Sequence, residues 1–162
     1  MNFRSAAKTD LMTVMSWIPD AESCQVWAGP RVRFPLEIEQ LLRDLEFDRT
    51  RCYVLTDNDH LLAFGQIRMF DDGNRGHLSR IVVSPLLRGK GVGQLFVNEL
   101  IKEARRLHCR TISLHVVKEN AIAIGLYHKL GFIIPDKQPD NLRAGIYYMQ
   151  LAGHSTEAAG ST

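Results

Sequence analysis

A strand-like apolar run, Leu78 to Val83, leads into Ser84-Pro85-Leu86-Leu87-Arg88-Gly89-Lys90-Gly91-Val92-Gly93, and a helical apolar pattern begins near Lys90. No other stretch restricts the chain so much. A helix leaves its first backbone N–H groups without partners inside the helix, and its dipole puts partial positive charge at the same end. Arg88 and Lys90 add two cations to that field. Glycine removes the Cβ atoms that would keep a bulky anion away from the backbone. The segment therefore reads as a phosphate-binding turn between a strand and a helix.

The 162 residues suit one domain with a substantial core, expected over 1–151, followed by a small, polar tail at 152–162 that reads as disordered. At 45% hydrophobic and 23% charged residues, the body of the chain is globular in composition. A net charge of +2, with scattered basic residues, gives no footprint for nucleic acid. Cys24, Cys52 and Cys109 have neither zinc-ligand spacing nor a disulfide pattern, so free thiols and no metal are expected. There is no signal-like start and no apolar run near the ~20 residues that span a bilayer. A cytoplasmic protein without a membrane partner follows as the expectation.

Along the chain, Asn2–Ala6 reads as a strand, and Thr9-Asp10 caps a helix through Ile18. Residues 20–35 read as a turn-rich segment, and Pro35 opens a helix that continues through Leu45. Arg51–Thr56 and His60–Phe70 form a hairpin around Asp57-Asn58-Asp59. Asp71-Asp72-Gly73-Asn74 then turns the chain into a strand over His77–Val83. The helix after the glycines places Val92, Leu95, Phe96, Leu100, Ala104 and Leu107 on one side. A strand over Thr111–Val117, a helix over Asn120–Leu130 stopped by Gly131, a short strand Phe132–Ile134 and a last strand Gly145–Leu151 complete the pattern. The fold class is α/β around a mixed sheet, and the last strand is a possible homodimer edge.

Three nucleotide motifs compete for the glycine turn. A P-loop needs a hydroxyl after its lysine to hold magnesium, and Gly91 follows Lys90. The dinucleotide fingerprint starts at Gly89 and Gly91 but meets Gln94 where its third glycine belongs. What remains is Arg88-x-x-Gly91-x-Gly93 after Val83-x-Pro85, and further on Asn120-x-x-Ala123-x-x-x-Tyr127-x-x-x-Gly131-Phe132. Both patterns, in this order, resemble the acetyl-CoA-binding and second signature motifs of the GNAT N-acetyltransferase superfamily. The C-terminal half is similar to the ribosomal-protein alanine acetylases within it.

The resemblance implies a single-domain, mostly antiparallel mixed sheet flanked by helices, with a splayed central strand pair that binds the cofactor. It implies transfer of acetyl from acetyl-CoA to a primary amine, on a small molecule or a protein N-terminus. The main-chain amides of Arg88, Gly89, Lys90, Gly91, Val92 and Gly93 would then take the pyrophosphate. Ile81, Val82 and Val83 would pair with pantetheine, and Asn120 would bond its amide or cap the helix. Tyr127 matches the residue that protonates the departing sulfur. His115 stands where the alanine acetylases place a glutamate base; His77 on the neighbouring strand and a relayed water are the alternatives. Lys129 belongs either to the coenzyme's 3′-phosphate or to a solvated helix face. Trp17, Asp20, Trp27 and Glu37 lie where the family shapes its acceptor pocket, with ordinary core as the competing role for the tryptophans. The rival function is a catalytically idle domain that senses acyl-CoA or binds a partner.

Overall fold

Two residues with left-handed backbone, Asn58 (φ 48°) and Asp59 (φ 67°), close the hairpin between strands β2 (Arg51–Asp57) and β3 (His60–Phe70). Such a turn matches the twist of its strands, and it sets a register in which Asp57 faces His60 and Val54 faces Phe64. The computed structural model describes residues 1–151, so the tail expected over 152–162 lies outside the described residues. Four further strands, β1 (Asn2–Ser5), β4 (Arg75–Val83), β5 (Thr111–Val117) and β6 (Ile146–Leu151), complete a six-stranded sheet in chain order. β1–β2, β2–β3 and β5–β6 pair antiparallel, whereas β4–β5 is parallel. The helices are α1 (Asp10–Ser16), α2 (Ala21–Ala28), α3 (Ile38–Asp44), α4 (Val92–Arg106) and α5 (Ala121–Lys129). No helix among the described residues is long and apolar enough to cross a membrane.

The chain packs as two compact units, one of residues 1–68 with 79–100, the other of residues 69–78 with the described residues from 101 onward. In the first, α1, α2 and α3 cover one side of the sheet with a core that includes Leu11, Val14, Trp27, Leu41, Phe64 and Val82. On the opposite side, Gly65 makes room for the start of α4: a Cβ there would stand 2.9 Å from the Phe96 ring and 3.2 Å from Ile81. Within α4, Val92, Phe96, Leu100 and Ala104, four residues apart, are buried together with Val97 and Ile101. Leu95, assigned to that stripe from its spacing, is 40% exposed because it lies on the flank of the row away from Val97 and Ile101.

The second unit contains the parallel ladder, which runs from Arg75↔Thr111 to Leu78↔Leu114 and stops there. β4 continues five residues past the last pair and β5 three. The outer edge of β6 is closed. Gln138 donates to the Tyr148 carbonyl and accepts from its N–H, at 3.1 and 2.8 Å, and Ile133 and Gln150 exchange two bonds of 2.9 Å. A second chain adding to this edge as a homodimer would have to displace these bonds.

The differences from the sequence reading are local. Residues 21–28 form α2, where a turn-rich segment is expected; Asp20 accepts from the Ser23 N–H at 2.7 Å, and Cys24 and Trp27 are buried. So short a helix takes its stability from tertiary packing. α3 starts at Ile38 with Glu37 as its cap, leaving Pro35 outside, and Thr9 caps α1 without a side-chain bond. α4 begins at Val92 rather than near Lys90, and β4 begins at Arg75 rather than His77. Phe132–Ile134 contributes only the isolated bridge Ile133↔Gln150.

The packing at Gly65 yields a measurable expectation. Gly65→Ala forces an extra carbon against the fully buried Phe96 ring. Overpacking of this kind costs about 1–3 kcal/mol, and a urea melt should show the midpoint falling with an unchanged slope.

Candidate active site

The glycine turn lies in the first unit. Pro85–Leu87 make one 3₁₀ turn, Arg88 is extended, and Gly89 (φ 77°) and Gly91 (φ 85°) take conformations that L side chains rarely adopt. A Cβ at either position would meet nothing within 4 Å. The glycines are therefore needed for backbone direction and leave open space above the turn. Among the described residues, the amides of Arg88 to Gly93 have no backbone carbonyl partner; the first turn of α4 closes with the bond from Leu95 to Gly91, 3.1 Å. Arg88 and Lys90 are exposed, and α4 has no acidic residue in its first turn. Six unpaired donors beside two cations suit a multiply charged anion.

The strand that feeds this turn is bent. Arg80 has φ 51°, unusual for a long side chain inside a strand. Its carbonyl accepts from the Trp27 indole at 2.8 Å, and its guanidinium donates to Gln66 at 3.1 Å. Gln66 is fully buried and donates in turn to the Leu45 carbonyl at 2.9 Å. Beyond the bend, Val82 belongs to the core, while Ile81 lies beside Gly65 and Val83 is half-buried. Trp17 and Trp27 are both buried core, and Trp27 also fixes the bend. Asp20 and Glu37 are helix caps.

In the second unit, Asn120 caps α5, its Oδ1 accepting from the Ala123 N–H at 3.2 Å. This leaves its side-chain NH₂ available to another group. Tyr127 stands one turn before the helix end, where the spacing to Gly131 and Phe132 has a physical cause. Gly131 takes φ 102°, and a Cβ there would meet Leu151 at 3.0 Å. Phe132 then buries its side chain, returns its N–H to the Tyr127 carbonyl at 2.9 Å and sets its ring edge-on to the tyrosine at 5.8 Å. Tyr127 is half-buried, its hydroxyl has no hydrogen-bond partner among the described residues, and burial pushes the phenol up to about 12. Lys129 is exposed at the helix end.

His115 and His77 come together in the same unit, their ring centroids 4.5 Å apart. His77 is buried, and its Nδ1 lies 2.7 Å from the Ser113 hydroxyl. Arg75 donates to the same hydroxyl at 2.8 Å and to Asp71 at 3.3 Å, with its guanidinium 4.6 Å above the Phe70 ring. A guanidinium has no lone pair to offer. The Ser113 oxygen therefore accepts from Arg75, and the same hydroxyl meets His77 Nδ1, so one serine joins the arginine to the imidazole. His115 lies on the open side of this group, with Tyr148 at 6.0 Å. Burial of its ring is the largest influence on its titration, followed by the charges of Arg143 and Arg75, and all three lower its pKa.

Sequence reasoning missed Arg75, Ser113 and Tyr148. Ser113 and His115 do alternate with Ile112, Leu114 and Val116, a period that marks one polar face of a strand. Their partners on the adjoining strands follow only from the register, in which His77 faces Ser113 and Tyr148 faces His115.

Residues 14–132 match the family model described as Acetyltransferase (GNAT) family. The L-methionine sulfoximine/L-methionine sulfone acetyltransferase of Salmonella typhimurium is 34% identical over 77 residues, 48% of this chain and 45% of the relative. The chain spans less than half the length of the curated relatives it matches. The ribosomal-protein-S18-alanine N-acetyltransferase of Escherichia coli superposes with a TM-score of 0.69 at 24% identity, covering 93% of this chain and 92% of that one. The spermidine N-acetyltransferase of Vibrio cholerae, in complex with CoA and spermine, reaches 0.73 at 20% identity over 94% and 95%. At these identities the two structures speak for the fold.

The histidine pair carries its own test. The His115 imidazole should titrate below the usual histidine range in an NMR titration, and Arg143→Ala should move its midpoint up. Because folding lowers this pKa, the unfolded chain binds more protons between the two midpoints. The contribution to stability is complete above the unfolded pKa and is lost as pH falls through it towards the folded one.

Proposed function

The chain belongs to the Acetyltransferase (GNAT) family, and from that premise we propose that it transfers acetyl from acetyl-CoA to a primary amine on a small molecule or a protein N-terminus. One observation carries the reading: six consecutive amides, Arg88 to Gly93, without backbone carbonyl partners among the described residues, in a turn whose glycines open to free space. A diphosphate fits such a donor array, and Arg88 and Lys90 offset its charge. Bound acetyl-CoA supplies a thioester carbonyl for the amine to attack. The main chain of Ile81, Val82 and Val83 orients the pantetheine arm, and the spare NH₂ of Asn120 bonds one of its amides.

The amine must lose a proton and the sulfur must gain one. His115 is the better base of the two histidines. His77 is buried with its Nδ1 engaged by the Ser113 hydroxyl, whereas His115 lies on the open side of the group. The lowered pKa of His115 keeps its ring neutral and able to accept at neutral pH. Tyr127 is the acid. A phenol pushed up to about 12 keeps its proton throughout the working range. Passing it to a thiolate with a pKa of ~8.5 is uphill by about 5 kcal/mol. A turnover of ~10 s⁻¹ allows a barrier of about 16 kcal/mol, so the step is affordable.

Thiol release from acetyl-CoA with a panel of amines tests the proposal. Tyr127→Phe should lower kcat by roughly 10²-fold or more while leaving the acetyl-CoA dissociation constant within about twofold. Gly91→Val should weaken acetyl-CoA binding at least about tenfold, since the left-handed backbone is strained for a branched side chain. Tight coenzyme binding without turnover on any amine would favour the sensing role; no binding at all would end both.

A further inference from the structure

We propose that Arg80 and Arg68 form a second anion site in the first unit, on the side of the sheet that α1, α2 and α3 cover, and that it takes the phosphate of a phosphate monoester. The site is separate from the glycine turn and does not rest on the acetyl-transfer reading.

Arg80 is its centre. The left-handed backbone there (φ 51°) is held by the Trp27 indole, which donates to its carbonyl at 2.8 Å. Strain of this kind persists only where the surroundings over-determine it, and it gathers at ligand sites. The residue is half-buried, yet it makes no ion pair with any described residue. Its guanidinium donates to a single acceptor among the described residues, Gln66 Oε1 at 3.1 Å, and that acceptor is neutral. Gln66 is itself fully buried and fixed, its Nε2 donating to the Leu45 carbonyl at 2.9 Å and to the Cys52 sulfur at 3.2 Å. A glutamate at this place would cancel the arginine's charge. The amide aims the guanidinium and leaves its charge whole, whereas cations away from water are ordinarily paired.

Arg68 lies two residues beyond Gln66 in β3, on the same face of the strand. Its guanidinium meets Glu46 at 2.8 Å, and Glu46 follows Leu45, the partner of Gln66. These two contacts run side by side and bring Arg68 next to Arg80. The Arg68 and Glu46 side chains are 25% and 38% exposed, so a solute can reach the cluster from water.

Charge decides the class of ligand. Burial and then Arg68 lower the Arg80 pKa, with Glu46 opposing and Arg31, exposed in the loop after α2, adding to the lowering. Three arginines thus act against one carboxylate, an excess of two positive charges. A phosphate monoester brings a charge of about −1.5 to −2 and three acceptor oxygens. Guanidinium forks take such oxygens in pairs. A single carboxylate would leave part of the excess uncovered.

The probe is inorganic phosphate, titrated by calorimetry with the glycine turn out of play: into protein saturated with coenzyme A, and into Gly91→Val without it. Phosphate should bind in both settings, and Arg80→Gln and Arg68→Gln should each weaken it about tenfold or more, the scale of one charge-assisted pair. Arg80→Gln strips the buried Gln66 of a partner and endangers the fold; Arg68→Gln, at a partly exposed side chain, keeps the outcome decisive. No phosphate binding in either setting, or equal affinity in wild type and Arg68→Gln, would overturn the site. Ethanolamine phosphate and ethanolamine, compared as acceptors, separate the two sources of the phosphate. A kcat/KM about tenfold or more higher for the phosphorylated amine, lost in Arg68→Gln through KM, supports a phosphate carried by the acceptor. Equal rates with phosphate still bound support a separate phosphorylated ligand. Absence of turnover on every amine, with phosphate binding intact, would count against acetyl transfer and leave this site standing.

Discussion

One peptide unit in the middle of β4 governs the site-forming part of the first unit. Arg80 adopts a left-handed backbone that costs a residue with a Cβ about 1–2 kcal/mol. The cost is met by bonds on both sides of the residue: the Trp27 indole holds its carbonyl, and the buried Gln66 holds its guanidinium. Without the bend, β4 would continue straight and the alternation of its side chains would be unbroken. With it, Val82 reaches the core. Trp27 is thus a core residue whose single polar atom determines where a strand turns.

The two groups proposed for proton transfer are tuned by one physical cause. Burial raises the pKa of Tyr127 and lowers that of His115, because it penalises phenolate and imidazolium alike. Both groups are held neutral, one with a proton to give and one with a lone pair to take it. Neither depends on a carboxylate partner, which sets this chain apart from an arrangement built on a glutamate base.

Much of this was legible in the sequence where local chemistry decides the outcome. The glycine turn, the Asn58-Asp59 hairpin, the Asn120 cap and the Gly131 stop each depend on a backbone preference of the residue itself. What the sequence hid depends on tertiary contacts. α2 has only Cys24 and Trp27 to mark a buried face, too few to display a period. Glu37 reaches back to cap α3 through a longer side chain than the usual caps, so Pro35 draws attention to the wrong residue. The Arg75–Ser113–His77 chain joins residues 38 positions apart, and Ser113 alone gives no hint that it links an arginine to a histidine.

The side-chain amide of Gln138 imitates a strand against Tyr148, giving and taking one bond each. This mimicry depends on an NH₂ and an oxygen on the same carbon. Hydrolytic conversion of that amide to an acid would turn the donor into a second acceptor facing a carbonyl. One of the four bonds along this border would become repulsive, and chemical ageing at one glutamine would leave the Ile133–Gln150 pair as its cover.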